Sequence, residues 1–108
     1  MELEKNLETY QTNRKKLLAA LPELGFNNIA PPDGAFYLYI DIGEFSSDSY
    51  DFAKKMLDIG GVALTPGIDF DPINGKSKIR ISYARSTPEI LIGIERIKIF
   101  MNQKKYLQ

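Results

Sequence analysis

Arg80 is the side chain whose position is best suited to chemistry in this sequence. It lies in an alternating segment in which Ile79 and Ile81 point to one face of a predicted strand and Arg80 to the other. The next residues on the face of Arg80, Ser82 and Ala84, are small and leave space beside the guanidinium. A planar fork of donors on a rigid strand suits two-point binding of a carboxylate. On spacing alone, however, an ordinary exposed strand arginine is the favoured interpretation.

The composition removes several kinds of chemistry. The sequence contains no cysteine, which excludes disulfides, thiolate catalysis and thiolate metal sites. It contains no histidine, which removes the most common general base and metal ligand. Acidic and basic residues balance at 14 each, so neither a nucleic acid nor an anionic membrane has electrostatic support as a partner. Any chemistry must use the remaining polar side chains or groups supplied from elsewhere.

Three other features resemble reactive or metal sites, and each has a simpler explanation. Lys78 opens a strand beside a polar loop, so its side chain is expected to be solvated. A lysine that forms a Schiff base would instead lie in an enclosed pocket beside its cofactor. In the acidic loop, Asn74 and Gly75 come one place late for a calcium loop, whose twelfth position would be Arg80. No spacing singles out an acid–base pair among Asp33, Asp41, Glu44, Asp48 and Asp51. We predict no metal site and no catalytic lysine.

Two amphipathic helices are predicted in the first sixty residues. Apolar residues at helical spacing indicate the first, from near the start to about Leu21, with Pro22 and Gly25 as stop signals. The second begins after the N-cap candidates at 46–48 and ends at the glycines at 60–61. The residues expected to face the core are Leu3, Leu7, Tyr10, Leu17, Leu18 and Leu21 in the first helix and Phe52, Met56 and Ile59 in the second.

A third helix is predicted to begin near Thr87. With Ser86 as the N-cap, Glu89 completes a capping box. With Thr87 as the N-cap, Pro88 takes the favoured first helical position. The apolar stripe of this helix consists of Ile90, Leu91, Ile94, Ile97 and Met101.

Three segments have the composition of β-strands, namely 35–41, 62–65 and 78–84. The first follows a turn at 30–34, and a short extended piece over 26–29 precedes that turn. The second is closed by Pro66 and Gly67, and an exposed loop follows at 68–76.

The order helix, strand, helix, strand, strand, helix predicts an α/β (α+β) fold. Three helices over a small sheet of three to four strands would form a two-layer sandwich. Residues 1–108 are expected to form a single domain.

The charged N-terminus has no apolar core, and no apolar run approaches the roughly 20 residues that span a bilayer. We therefore expect no targeting signal, no membrane partner and, by default, a cytoplasmic location.

Four segments, taken together, resemble a known family. They are Tyr10-x-x-x-Arg14-Lys15 with the leucines that precede Gly25-Phe26, Pro32-Asp33-Gly34-Ala35-Phe36-Tyr37-Leu38, Val62-Ala63-Leu64-Thr65-Pro66-Gly67-x-x-Phe70, and Arg80-Ile81-Ser82-Tyr83-Ala84. In this order and spacing they resemble the C-terminal small domain of class I/II (fold type I) aminotransferases that depend on pyridoxal phosphate. The second and third segments resemble the family's P-x-G-x-F-Y and P-G-x-x-F motifs.

The resemblance implies a role for Arg80. In this family the arginine of the R-[LI]-S-[FY]-A block binds the α-carboxylate of the amino acid or 2-oxo acid substrate, so Arg80 is expected to bind substrate. Gly34 and Gly67 would lie near the domain cleft, where tight turns explain them. No catalytic residue and no cofactor-binding residue is expected within this chain.

The resemblance covers only the last part of a typical family member. The family's cofactor lysine, the aspartate that pairs with the pyridinium nitrogen and the phosphate-binding groups belong to a large domain that this sequence lacks. Pyridoxal phosphate is therefore expected in the parent protein and not bound to this chain, which is expected to be inactive alone. The parent is expected to be a homodimeric aminotransferase, and Met1 is expected to be either an introduced start or the boundary of an excised piece.

Two alternatives remain open. The chain could be a stand-alone, non-catalytic α/β module that binds a ligand or a protein. It could also be the small domain of a related pyridoxal-phosphate lyase or decarboxylase, because a fold does not fix a reaction.

Overall fold

A computed structural model of the chain describes residues 2–30 and 36–103, with side chains from Asn6 onward in those ranges. The helices and strands in these ranges are α1 (Glu2–Glu23), β1 (Asn28–Ile29), β2 (Tyr37–Asp41), α2 (Ser49–Lys55), β3 (Thr65–Pro66), β4 (Lys78–Ser82) and α3 (Thr87–Met101). Two short 3₁₀ turns, Gly67–Asp69 and Gly75–Ser77, lie between β3 and β4. No helix within the described ranges has the length and apolar character needed to cross a membrane.

The four strands form one antiparallel sheet in the order β1-β2-β4-β3. The central strands β2 and β4 pair along their full length, with Leu38 opposite Ile81, Tyr39 opposite Arg80 and Ile40 opposite Ile79. The two edge strands are only two residues long each. The predicted small sheet of three to four strands is confirmed.

The helices cover one face of this sheet. Leu38 and Ile40 of β2 and Ile79 and Ile81 of β4 are buried, while the residues between them are half-buried. These four side chains form one hydrophobic core with helical residues that include Leu17, Leu21, Phe52, Met56, Ile90, Ile97, Phe100 and Met101. Because side chains alternate along a strand, Arg80 must lie on the opposite face. The predicted two-layer sandwich is confirmed, and its uncovered side, here called the open face, carries Arg80.

The second predicted helix is present, but its last turn is a π-helix. The π-helix spans Met56–Gly60, and Gly61 adopts a left-handed φ of 74° that ends it. A π-helical turn closes its hydrogen bonds over one more residue than an α-helical turn, so it shifts the side chains that follow. Ile59 is consequently 45% exposed, whereas Met56 is fully buried. The prediction that Ile59 faces the core is wrong.

The apolar stripes of the other two helices each contain a residue that is exposed. Leu7 is 42% exposed because it lies in the part of α1 that precedes the core contacts, and Leu91 is 47% exposed. Leu91 is turned by about 100° from the buried Ile90 on the helix surface. Both were predicted to face the core, and both predictions are wrong. Phe100, which the predicted stripe omits, is buried, and the side chain of Leu3 lies outside the described residues.

The second predicted strand, expected over 62–65, is shorter than predicted and lies further along the chain, at Thr65 and Pro66. Val62 does not extend a strand, because its N–H donates to the carbonyl of Met56 at the end of the preceding helix. β3 consists of Thr65 and Pro66, although Pro66 was predicted to close the strand. A proline has no N–H to donate, and an edge strand tolerates this because one side of it needs no partner.

The remaining strand boundaries also shift. β4 ends at Ser82 rather than at Ala84, because the N–H of Ala84 donates to the Ser82 hydroxyl. Of the extended piece predicted over 26–29, only Asn28–Ile29 pairs as a strand. β2 begins at Tyr37, and most of the predicted turn at 30–34 lies outside the described residues.

The start of α3 resolves the two capping alternatives. Ser86 is the N-cap, and its hydroxyl accepts a hydrogen bond from the N–H of Glu89. The Glu89 carboxylate in turn accepts one from the N–H of Ser86, which completes the capping box. The connection from β4 to α3, which follows Arg80, therefore ends at the capping box formed by Ser86 and Glu89.

Asn13 ties α1 to this connection. It is fully buried, and its amide Nδ2 donates to the carbonyl of Tyr83 at 3.1 Å and to that of Arg85 at 2.6 Å. Its Oδ1 accepts a hydrogen bond from the hydroxyl of Thr87 at 2.7 Å. The Asn13 side chain thus donates hydrogen bonds to two backbone carbonyls and accepts one from the hydroxyl of the first residue of α3.

Asn13→Ala should lower the free energy of unfolding by about 3 kcal/mol, because it leaves buried carbonyls without donors. Urea unfolding of the 108-residue chain measures this difference. The control is Gln11→Ala, an exposed polar residue on the same helix that should change stability by less than about 0.5 kcal/mol. Equal, small effects of both substitutions would show that the Asn13 contacts do not stabilise the fold.

Candidate functional site

Arg80 lies at the centre of the open face, between aromatic rings. Its guanidinium carbon Cζ is 4.1 Å from the ring centroid of Tyr37 and 5.1 Å from that of Phe70. Both distances lie within the range of a cation–π interaction. Tyr37 comes from the first position of β2, and Phe70 comes from the loop that follows β3.

The surroundings of Arg80 differ from the open space that the sequence predicted. Ser82 and Ala84 are small, as the strand pattern shows, but the lateral neighbours of Arg80 come from other segments. The register places Tyr39 directly opposite Arg80, and it places Tyr37, two residues away on the same face of β2, opposite Ser82. The prediction failed on this point because residue spacing within one strand does not reveal what the neighbouring strand presents. The aromatic residues at the alternate positions 37 and 39 are the sequence feature that could have predicted rings beside Arg80.

The donor groups of Arg80 are incompletely satisfied. Its Nε atom is buried and has no hydrogen-bond partner among the described residues. Ring faces attract the cation but cannot replace the oxygen acceptors that its N–H groups require. Guanidinium donors lie in the plane of the group, where the two oxygens of a carboxylate can accept from them together. The arrangement can therefore bind an anionic ligand with planar oxygens.

The loop that carries Phe70 is fixed by close backbone packing. The N–H groups of Phe70 and Asp71 both donate to the carbonyl of Gly67, at 3.1 and 2.8 Å. Gly67 and Gly75 are both buried against each other, and the buried Ser49 hydroxyl donates to the carbonyl of Gly75 at 2.7 Å. This packing holds the Phe70 ring 5.1 Å from the ring of Tyr39.

Position 67 requires a glycine because there is no room for a side chain, and not because the backbone adopts a left-handed φ. A tight turn was the explanation that the sequence offered, but the described glycines with left-handed φ are Gly25 and Gly61. A Cβ atom added at Gly67 would lie 2.6 Å from the carbonyl oxygen of Lys78 and closer still to that of Gly75. Gly34 lies outside the described residues.

The other residues considered from the sequence serve the fold. Lys78 is half-buried at the start of β4, and the Asp48 carboxylate caps α2. The Asp41 carboxylate accepts from the N–H of Gly43, and that of Asp71 accepts from the N–H of Asn74. Within the described ranges, no cluster of three or more metal-binding side chains occurs. Asp33 lies outside those ranges.

Two surface recesses lie near the sheet, and Arg80 lines neither. The first, of about 370 Å³, is mainly apolar and lies between α3 and residues 61–63. The second, of about 410 Å³, lies along β1 and β2 and is lined in part by Tyr39, Asp41 and Lys78. The second recess adjoins the aromatic group around Arg80, because Tyr39 belongs to both.

Comparison with known proteins agrees with the fold and the motifs. The model of the family "Aminotransferase class I and II" matches residues 1–97. The chain therefore belongs to the class I and II aminotransferase family.

Three relatives illustrate this membership. A valine–pyruvate aminotransferase of Mycobacterium tuberculosis is 46% identical over 96 residues, which are 89% of this chain and 25% of that protein. A (5-formylfuran-3-yl)methyl phosphate transaminase of Methanocaldococcus jannaschii is 40% identical over 94% of this chain and 26% of its own length. The crystal structure of an aminotransferase from Mycobacterium tuberculosis superposes with a TM-score of 0.90 at 44% identity, over 94% of this chain and 26% of that one. The chain thus spans about a quarter of the length of the relatives it matches.

The described residues do not fit the pyridoxal phosphate of this family. A lysine that carries the cofactor must be enclosed and held in one orientation. Every lysine side chain in the described part of the chain is exposed or half-buried, including Lys78. The arginine on the open face suits a carboxylate, not the covalent attachment of a cofactor.

Proposed function

We propose that this chain is the small domain of a pyridoxal-phosphate aminotransferase and that Arg80 binds the α-carboxylate of its amino acid and 2-oxo acid substrates. The observation that carries the proposal is the Arg80 guanidinium, which lies 4.1 Å from the Tyr37 ring with a buried, unpartnered Nε. Membership of the aminotransferase family supplies the reaction class.

Arg80 contributes binding and orientation in this proposal. A bidentate carboxylate contact fixes two points of the substrate, which limits its rotation at the reacting carbon. Closure of the domain over the substrate would exclude water and strengthen the ionic contact. Such a contact is worth about 2–3 kcal/mol.

The rest of the machinery belongs to the large domain of the same protein. Pyridoxal phosphate, when bound there, supplies the electron sink for chemistry at the substrate's α-carbon. The 108-residue chain alone is expected neither to bind the cofactor nor to transfer amino groups. A homodimer is proposed for the full-length protein.

The reaction class can be tested with the full-length protein, pyridoxal phosphate, a panel of amino acids and a 2-oxo acid acceptor. Equal amounts of new amino acid and new 2-oxo acid, formed only when donor and acceptor are both present, are expected. Release of ammonia or carbon dioxide without an acceptor would assign the protein to the lyases or decarboxylases instead. The 108-residue chain serves as the negative control.

A further inference from the structure

We infer that Tyr37, assisted by Phe70, is a positioning residue that holds the Arg80 guanidinium in the orientation required for carboxylate binding. The inference rests on the proposed function of Arg80. It adds that the arginine is held by rings rather than by an anionic protein partner. Among the described residues no ion pair involves Arg80; the ion pairs there are Lys54–Asp58 and Lys55–Asp51.

The distances indicate which ring matters more. Arginine has a long side chain with large rotamer entropy, so an unsupported guanidinium would sample many positions. Tyr37 contacts it at 4.1 Å, whereas Phe70 lies at 5.1 Å. A cation–π contact weakens as the distance between the cation and the ring grows. Tyr37 is therefore the main support and Phe70 the lesser one.

The rings are themselves held by rigid parts of the fold. Tyr37 is on a central strand that pairs with β4 along its whole length, so its backbone cannot shift independently of Arg80. Phe70 packs on Tyr39, with 5.1 Å between ring centroids, and its loop is fixed by the contact of Gly67 with Gly75. Support from two separate segments, β2 and the loop that carries Phe70, keeps the guanidinium in place before any ligand arrives.

Aromatic support leaves the charge available to a ligand. A carboxylate partner in the protein would occupy the in-plane donors and compete with the substrate, whereas a ring occupies only the face of the guanidinium. The Nε atom, buried without a partner in the described residues, remains an unsatisfied donor. The structure thus orients Arg80 without neutralising it.

The test is a double-mutant cycle in the full-length protein, with kcat and KM measured for its amino acid substrate. Tyr37→Leu should lower kcat/KM about tenfold, chiefly through KM, and Phe70→Leu about threefold. Tyr37→Phe, which keeps the ring, should stay within about twofold of the natural protein. In an Arg80→Ala background, Tyr37→Leu should cause no further loss, because its effect passes through Arg80. Tyr50→Leu, at an exposed tyrosine, is the control for removing a ring.

The outcomes separate this inference from the proposed function. If Arg80→Ala lowers kcat/KM but Tyr37→Leu does not, the positioning role is wrong and the function of Arg80 stands. A Tyr37→Leu loss that remains in the Arg80→Ala background would also overturn the role, because it would show a general structural effect. If Arg80→Ala itself has no effect, the proposed function fails.

Discussion

Replacing Arg80 with alanine in the full-length protein should lower kcat/KM for the amino acid substrate by about 100- to 1000-fold. Losing a bidentate, charge-assisted contact in a closed site removes its contribution of about 2–3 kcal/mol and also leaves the substrate carboxylate buried without a partner, which raises the total loss of transition-state stabilisation to about 3–4 kcal/mol. Steady-state kinetics measure the loss, and the absorption spectrum of the bound cofactor should stay unchanged because Arg80 binds substrate only. Unaltered turnover would remove the proposed role of Arg80.

Two further variants make this result specific. Arg80→Lys keeps the charge but loses the planar fork, so it should recover only a small part of the activity. Arg85→Ala removes an exposed arginine five residues further along and should leave kcat/KM nearly unchanged. Equal losses in the Arg80 and Arg85 variants would point to a general effect of removing positive charge.

Gly67→Ala should destabilise the chain by about 3 kcal/mol or more. The added Cβ would lie 2.6 Å from the carbonyl oxygen of Lys78 and against the backbone of Gly75. Both neighbours are backbone, which cannot move aside as a flexible side chain can, so β4 and the loop must separate. Urea unfolding of the 108-residue chain measures the change.

Gly93 provides a matched control with the opposite sign. It lies within α3, and a Cβ added there would meet nothing within 4 Å. Gly93→Ala should therefore stabilise the chain by about 0.5–1 kcal/mol, because alanine favours the helix and lowers the entropy of the unfolded state. A Gly67→Ala variant as stable as the natural chain would show that the loop can relax around the methyl group.

Much of the fold can be predicted from local signals. The alternation around Ile79 and Ile81 identifies the buried face of β4, and the Ser86–Glu89 pair identifies the start of α3. Local signals fail where the backbone departs from ideal geometry. The π-helix that exposes Ile59 has no clear mark in the sequence, since the same residues would fit an α-helix.

The site was less predictable than the fold. The strand position of Arg80 follows from periodicity, but its aromatic neighbours follow from strand register and from the fold of a distant loop. The pairing of Tyr39 with Arg80 brings together two segments that are 41 residues apart in sequence, and no local pattern fixes that pairing. The contact of Gly67 with Gly75 is likewise visible only once the loop has folded.

The most direct test of carboxylate binding by Arg80 compares two substrates in a single turnover. The full-length protein, with and without Arg80→Ala, is mixed with an amino acid or with the amine that lacks only its carboxylate. The natural protein should react with the amino acid at least about 100-fold faster, and the variant should lose most of this preference while its rate with the amine changes little. A variant that keeps the preference for the amino acid would contradict the account.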